Sequence, residues 1–184
     1  GGNLQAQWVH TNGPFDTQIP CIAISGTNIF AGTNGDGVFL STDNGTSWTA
    51  VNNGLTNGYI TSLAVSGTNI FAATVGGVFL STDNGANWTA VTNSVPVLSL
   101  AVSGTNIFAG TPGGGVFLSN DNGTSWTAVN NGLTNGYVNS LTVSDTNIFC
   151  GTYGDGVFLS TDNGTSWTAV NNGLTNTIVT SIAV

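Results

Sequence analysis

The 184 residues contain no lysine, no arginine, no glutamate and no methionine, and only one histidine. The eight acidic residues are all aspartates, so the net charge is −8 at neutral pH. A chain without cations has nothing to neutralise nucleic-acid phosphates. Nor can it be drawn to an anionic membrane surface. No carboxylate can find a lysine or arginine partner, so the fold must rest on apolar burial and backbone hydrogen bonds. The absence of methionine marks the chain as a processed product or a piece of something longer. Two cysteines, Cys21 and Cys150, make no disulfide framework; each reads as a small buried side chain, unbridged to the other. No apolar run approaches the ~20 residues of a membrane-spanning helix, so membrane insertion is not expected. No signal peptide is visible. The regular supply of Ile, Val, Leu, Phe and Trp excludes disorder.

What is present is a repeat. The tryptophans fall at 8, 48, 88, 126 and 167, in steps of 40, 40, 38 and 41. A period in that range decides the architecture before any local detail. One unit, from Thr61, runs Thr-Ser-Leu-Ala-Val, Ser-Gly-Thr-Asn, Ile-Phe-Ala-Ala-Thr, a glycine turn, Gly-Val-Phe-Leu-Ser-Thr and a polar octet ending in Trp88. It closes with Thr-Ala-Val, giving four short β runs, A to D, and no helical period. The apolar runs are continuous rather than alternating, as in strands covered on both faces. The fold class expected is therefore all-β: a β-propeller of four-stranded antiparallel blades, each about 40 residues long. A β-solenoid is the alternative. The predicted organisation is a lone D strand at 6–12, blade units at about 19–51, 60–91, 97–129 and 138–170, and a lone A strand at 178–184. Eight of the nine phenylalanines recur at one position in B and one in C, and are expected to form the packing layers between blades.

The octet carries the local chemistry. It occurs as Ser41 to Trp48, Ser81 to Trp88, Ser119 to Trp126 and Ser160 to Trp167. Asp43, Asp83, Asp121 and Asp162 can accept from the turn's own N–H groups. Gly45, Gly85, Gly123 and Gly164 can take the positive φ of a tight reversal. The leading serine closes the loop, and Trp48, Trp88, Trp126 and Trp167 are expected to fold back as lids over their own hairpins. These octets resemble the Asp-box of sialidase-like (BNR), sortilin-like and photosystem assembly factor-like propellers. The resemblance implies a structural turn remote from the working face, leaving the ligand open.

Catalysis is not expected. Sialidase-like enzymes use an arginine cluster and a tyrosine–glutamate pair, and this chain has neither arginine nor glutamate. Glycoside hydrolysis needs an acid of raised pKa. The aspartates sit instead in the octets, in glycine turns (Asp36, Asp155), in an A–B turn (Asp145) and in the lead-in (Asp16). His10 stands alone, whereas a metal site or an activated nucleophile needs partners. No cofactor is expected. Calcium is the one candidate, but it takes six to eight oxygens and each octet offers a single carboxylate. Glycosylation sequons at Asn44, Asn87, Asn122 and Asn163 follow from the octet itself.

The function expected is a non-catalytic extracellular module, a scaffold, assembly or protein-binding surface. A multivalent carbohydrate-binding lectin is the alternative. Tyr59, Tyr137 and Tyr153 do not recur in every unit, and the aromatic content reads as mostly core. Five A and five D strands against four B and four C leave one blade without its middle. Partners are therefore expected to be other copies of the chain or flanking repeats of a longer one, with glycans as a further candidate.

Overall fold

The computed structural model describes residues 13–14, 17–93 and 95–184. Its first sheet holds β1 (Cys21–Ser25), β2 (Asn28–Gly32), β3 (Val38–Ser41) and β4 (Thr49–Ala50). The second holds β5 (Ile60–Ser66), β6 (Asn69–Thr74), β7 (Gly77–Ser81) and β8 (Thr89–Asn93). The third holds β9 (Ser99–Ser103), β10 (Asn106–Thr111), β11 (Gly115–Ser119) and β12 (Thr127–Ala128). The fourth holds β13 (Val138–Ser144), β14 (Asn147–Thr152), β15 (Val157–Ser160) and β16 (Thr168–Ala169). Each sheet is a four-strand meander in chain order, antiparallel throughout. A solenoid would need parallel pairing, so that alternative falls. The first strands pack side by side, β1 with β5, β5 with β9 and β9 with β13, so the sheets radiate from their A strands as the blades of a β-propeller.

The A–B turns show why the backbone folds here. Ser25 pairs with Asn28, leaving the two-residue loop Gly26-Thr27. Gly26, Gly67 and Gly104 take φ near +60°, which a two-residue hairpin loop with glycine first requires. The fourth copy places Asp145 at that position with φ 55°. Left-handed backbone is costly for a residue with a Cβ. Asp145→Gly is therefore expected to stabilise the chain by about 0.5–1 kcal/mol, measurable as a shift of the urea midpoint. An unchanged or lowered midpoint would contradict that reading.

Among the described residues the core is divided into three layers, one between each pair of adjacent sheets. Phe30 and Val38 of the first sheet meet Ile60, Leu63, Ile70, Phe79 and Trp88 of the second. The layer between the third and fourth sheets repeats this arrangement, while in that between the second and third the equivalents of Phe79 and Trp88, Phe117 and Trp126, are only partly buried. The B-strand phenylalanines Phe30, Phe71 and Phe108 face the following sheet and are fully buried. The C-strand phenylalanines Phe79 and Phe158 face the preceding one. The two flanks of the array are different. Ile22 and Ile24 of β1 are 62% and 67% exposed, and Phe149 of β14 is only half-buried.

Residues 178–184, expected as a lone A strand, form no ladder with the described residues; Ile178 makes a single bridge to Tyr153. They nevertheless use the bonds of an A strand against the preceding sheet. Val179 N–H donates to the Thr152 carbonyl at 2.9 Å, as Ile60 does to Thr33. Ile182 N–H donates to Ser140 Oγ at 3.1 Å, as Leu141 does to Ser99 at 2.9 Å. The lone D strand expected at 6–12, with His10, lies outside the described residues, as does Asp16.

Candidate functional site

Strand direction alternates along each meander, so two kinds of loop gather at each end of the blades. The A–B turns and the octets share one end; the B–C turns and the D-to-A connectors share the other.

At the octet end the serine hydroxyls and aspartate carboxylates of the octets are occupied locally. Ser41 Oγ donates to Asp43 Oδ1 at 2.8 Å and accepts from Gly45 N–H at 2.8 Å. Asp43 Oδ1 accepts from Ser47 N–H at 2.8 Å, and its Oδ2 from Ser47 Oγ at 2.6 Å. The same bonds join Ser119, Asp121, Gly123 and Ser125, and again Ser160, Asp162, Gly164 and Ser166. In the second octet Ser81, Asp83 and Gly85 hold the same places, and Asn87 takes over the serine's role, donating to Asp83 through both its main chain and its amide. The glycines take φ of 81–86°, and the preceding Asn44, Asn84, Asn122 and Asn163 are also left-handed. That second left-handed position escapes a reading that looks only for glycine.

These bonds favour the charged form of the carboxylates. The Ser47 side-chain bond, with the Ser47 N–H and Ser41 hydroxyl, lowers Asp43 from 3.8 to about 2. Asp83 is lowered chiefly by the Asn87 amide, Asp121 by Ser125 and Asp162 by Ser166. A depressed folded-state pKa contributes stability above the unfolded value and loses it as pH falls through the folded one. The melting temperature is therefore expected to hold from neutral pH to about 4 and to drop towards pH 2. A melting temperature unchanged down to pH 2 would mean these bonds do not favour the ionised form.

The tryptophans depart from the sequence expectation. Trp48 and Trp126 do fold onto their own octets, donating from Nε1 to the Gly45 and Gly123 carbonyls at 3.2 and 3.0 Å. Trp88 and Trp167 instead cross to the preceding sheet, donating to the Val51 and Val129 carbonyls at 2.7 Å. Their main-chain N–H groups also donate across, to Asn53 and Asn131 at 2.8 Å. The difference follows from the connectors. Asn-Asn-Gly-Leu-Thr-Asn follows the first and third sheets and receives the next tryptophan; the second sheet has no such segment. The first asparagine of each copy also braces the far end. Asn52 Oδ1 accepts from Val38 N–H at 2.7 Å while its amide donates to the Asp36 carbonyl at 2.9 Å. Asn130 and Asn171 repeat this. These asparagines were missed as structural residues, although the threefold hexapeptide was the available signal.

The connector end carries the exposed aromatic and apolar groups. Tyr59 is 54% exposed and Tyr153 56%, and Tyr137, Val75, Val95 and Ile178 accompany them. The tyrosines are thus surface residues, apart from the phenylalanines and tryptophans that make up most of the aromatic content. Each caps a B–C turn or the connector beside it, through the Asn34–Tyr59, Pro112–Tyr137 and Tyr153–Ile178 bridges. The rings of Tyr137 and Tyr153 lie 5.4 Å apart at 47°. A cleft of about 290 Å³ opens between Gln18, Asn34, Tyr59 and Val75. Beside it Asp36, Asn52 and Thr56 line a polar one of about 250 Å³. Aromatic contact and amide or carboxylate hydrogen bonding are what this face offers a ligand. Burial pushes the thiols of Cys21 and Cys150 up to about 12, so neither is a nucleophile near neutral pH. Both are free, on the first and fourth sheets. Among the described residues no three His, Cys, Asp or Glu side chains come together as a metal site. Nor, among them, is any helix long and apolar enough to cross a membrane.

Comparison with curated proteins found no match. Among solved structures, an ancestral GH74 enzyme is similar over 83% of this chain and 24% of its own, at 22% identity and a TM-score of 0.71. The extracellular domain of a putative one-component system from B. thetaiotaomicron is similar over 96% of this chain and 26% of its own, at 17% identity and a TM-score of 0.73. The chain thus spans about a quarter of either. YCF48 from Cyanidioschyzon merolae is similar over 84% of this chain and 56% of its own, at 18% identity and a TM-score of 0.66. A further YCF48 structure, at 18% identity, is bound to D1 peptide. At such identities the likeness is one of fold. Residues 6–135 match the family model of the DUF6242 beta propeller domain, and the chain belongs to that family.

Proposed function

We propose that the chain is a non-catalytic, extracellular propeller module that binds protein through its connector face. The observation that carries this reading is the asymmetry between the two ends. The octet carboxylates are held by their own turns with lowered pKa values, whereas three tyrosines and several aliphatic side chains stand exposed at the other end. Tyrosine contributes a large, rigid contact area at low entropic cost, which suits protein recognition. The octets are, on this reading, Asp-boxes that serve as structural turns. A peptide-bound YCF48 and an extracellular neighbour support the reading by likeness of fold. No cofactor is assigned.

Glycan binding is the second reading, favoured by the polar cleft at Asp36 and Asn52 beside Tyr59. A displayed random-peptide library, selected on the wild-type chain, separates the two when run beside a glycan array with calcium and with chelator. Selected peptides are expected to bind the Tyr59→Ser/Tyr137→Ser/Tyr153→Ser variant at least about tenfold more weakly, a difference of roughly 1.4 kcal/mol. Equal binding by the variant would remove the connector face as the site, and array binding alone would favour the glycan reading. Fluorogenic sialosides and β-glucosides are expected to show no turnover. Sustained turnover abolished by one aspartate substitution would overturn the non-catalytic reading.

A further inference from the structure

The connector between the second and third sheets is short. Trp88 precedes Leu100 by 12 positions, whereas Trp48 precedes Leu63, and Trp126 precedes Leu141, by 15. With the Asn-Asn-Gly-Leu-Thr-Asn segment goes a leucine. In the first connector Leu55 packs on the layer that holds Ala72, Phe79 and Trp88. In the third, Leu133 packs on the layer that holds Cys150, Phe158 and Trp167. The register equivalents in the third sheet are Ala109, Phe117 and Trp126, and these line an open, mainly apolar cavity of about 110 Å³, with Val95 and Val97 on the connector side. Their burial records the vacancy. Phe79, Trp88, Phe158 and Trp167 are all 4% exposed or less, while Phe117 and Trp126 are only half-buried.

We propose that this cavity is a binding site for a leucine side chain presented on a polar loop of another protein. The equivalent layers pack against a leucine twice elsewhere in the molecule, and that sets the kind of side chain the cavity suits. The Trp126 indole and the Thr111 hydroxyl on the walls are satisfied within their own sheet, so an apolar guest orphans neither. Trp126 Nε1 donates to the Gly123 carbonyl, and Thr111 Oγ1 donates to that of Gly115 at 2.9 Å. Apolar cavities of roughly 150 Å³ take up small apolar ligands. The chain itself shows what the ligand looks like. Leu174, in the third copy of the hexapeptide, is 45% exposed, and Gly173 has the same φ of 85° as Gly132. This site is separate from the tyrosines, sharing only Val95 with their face, and does not depend on the function proposed above.

The probe is the end-blocked hexapeptide Asn-Asn-Gly-Leu-Thr-Asn, titrated into the full ¹⁵N-labelled chain while the indole N–H signals are followed. The Trp126 signal, assigned by its loss in Trp126→Phe, is expected to shift saturably at millimolar peptide while those of Trp88 and Trp167 stay in place. A peptide with glycine for leucine is expected to bind at least about tenfold more weakly, because the apolar contact is lost. Thr92→Leu fills the cavity from its wall and is expected to abolish the response; if it does not fold, Ala109→Val serves the same purpose. No shift at millimolar peptide, equal shifts with the glycine peptide, or shifts centred on Trp88 or Trp167 would each overturn the proposal.

Discussion

Trp167→Ala is expected to lower the stability of the chain by about 3–5 kcal/mol, the range for removing a buried aromatic side chain. Trp88→Ala should do the same. Both rings are 4% exposed and packed in a layer between sheets. Each also donates from its indole to a carbonyl of the preceding sheet, at 2.7 Å. Losing the ring opens a cavity between two sheets and leaves the Val129 or Val51 carbonyl without that donor. Trp126 occupies the same octet position but is half-buried, and its indole donates within its own turn. Less area is returned to water, so Trp126→Ala should cost roughly half as much or less. Guanidinium unfolding of the three variants reads this directly. If Trp126→Ala matched Trp167→Ala, the octet alone would set the tryptophan's contribution, and the crossing to the neighbouring sheet would be incidental.

A second large effect is expected at Gly132. Its φ is +85°, and a Cβ there would run into the main-chain carbonyl of Trp167. Left-handed backbone costs an L-residue about 1–2 kcal/mol. Forcing an atom into a packed contact adds roughly 1–3 kcal/mol. Gly132→Ala should therefore destabilise by about 2–5 kcal/mol, with Gly54→Ala, facing the Trp88 carbonyl, alongside it. Gly173 is the internal control: its φ is also +85°, but nothing lies within 4 Å of its Cβ position. Gly173→Ala bears the backbone strain alone, about 1–2 kcal/mol. The difference between Gly132→Ala and Gly173→Ala isolates the contact between connector and tryptophan. If the two melted together, that contact would carry no weight.

These two expectations mark where sequence reading stops. The hydrogen bonds among the octet's leading serine, aspartate, glycine and the residue before the tryptophan join positions no more than four apart, so they can be anticipated from spacing and residue type alone. The crossing of Trp88 and Trp167 involves partners 37 and 38 residues away. Four tryptophans at one octet position take two kinds of partner, and the two that cross are those whose preceding connector is Asn-Asn-Gly-Leu-Thr-Asn, so the choice is invisible within any one repeat. The tyrosines posed a related difficulty. Tyr59 and Tyr137 open A strands while Tyr153 sits in a B–C turn, so no repeat position unites them. Only the folding of connectors and B–C turns to a common end places them on one face.

By itself the sequence determined the architecture: a 40-residue period, four β runs per unit and turn chemistry between them admit little else. It also determined which repeat positions face a neighbouring sheet, because Phe recurs at positions whose direction follows strand alternation. Only the tertiary structure decided which faces remain open. Phe39 and Phe117 occupy the same repeat position as the buried Phe79 and Phe158, yet both stay half-exposed. Phe117 is uncovered because a connector three residues shorter brings no leucine over it. Burial of a repeated residue is set by its neighbour in the array, and a repeat carries no record of what packs against it.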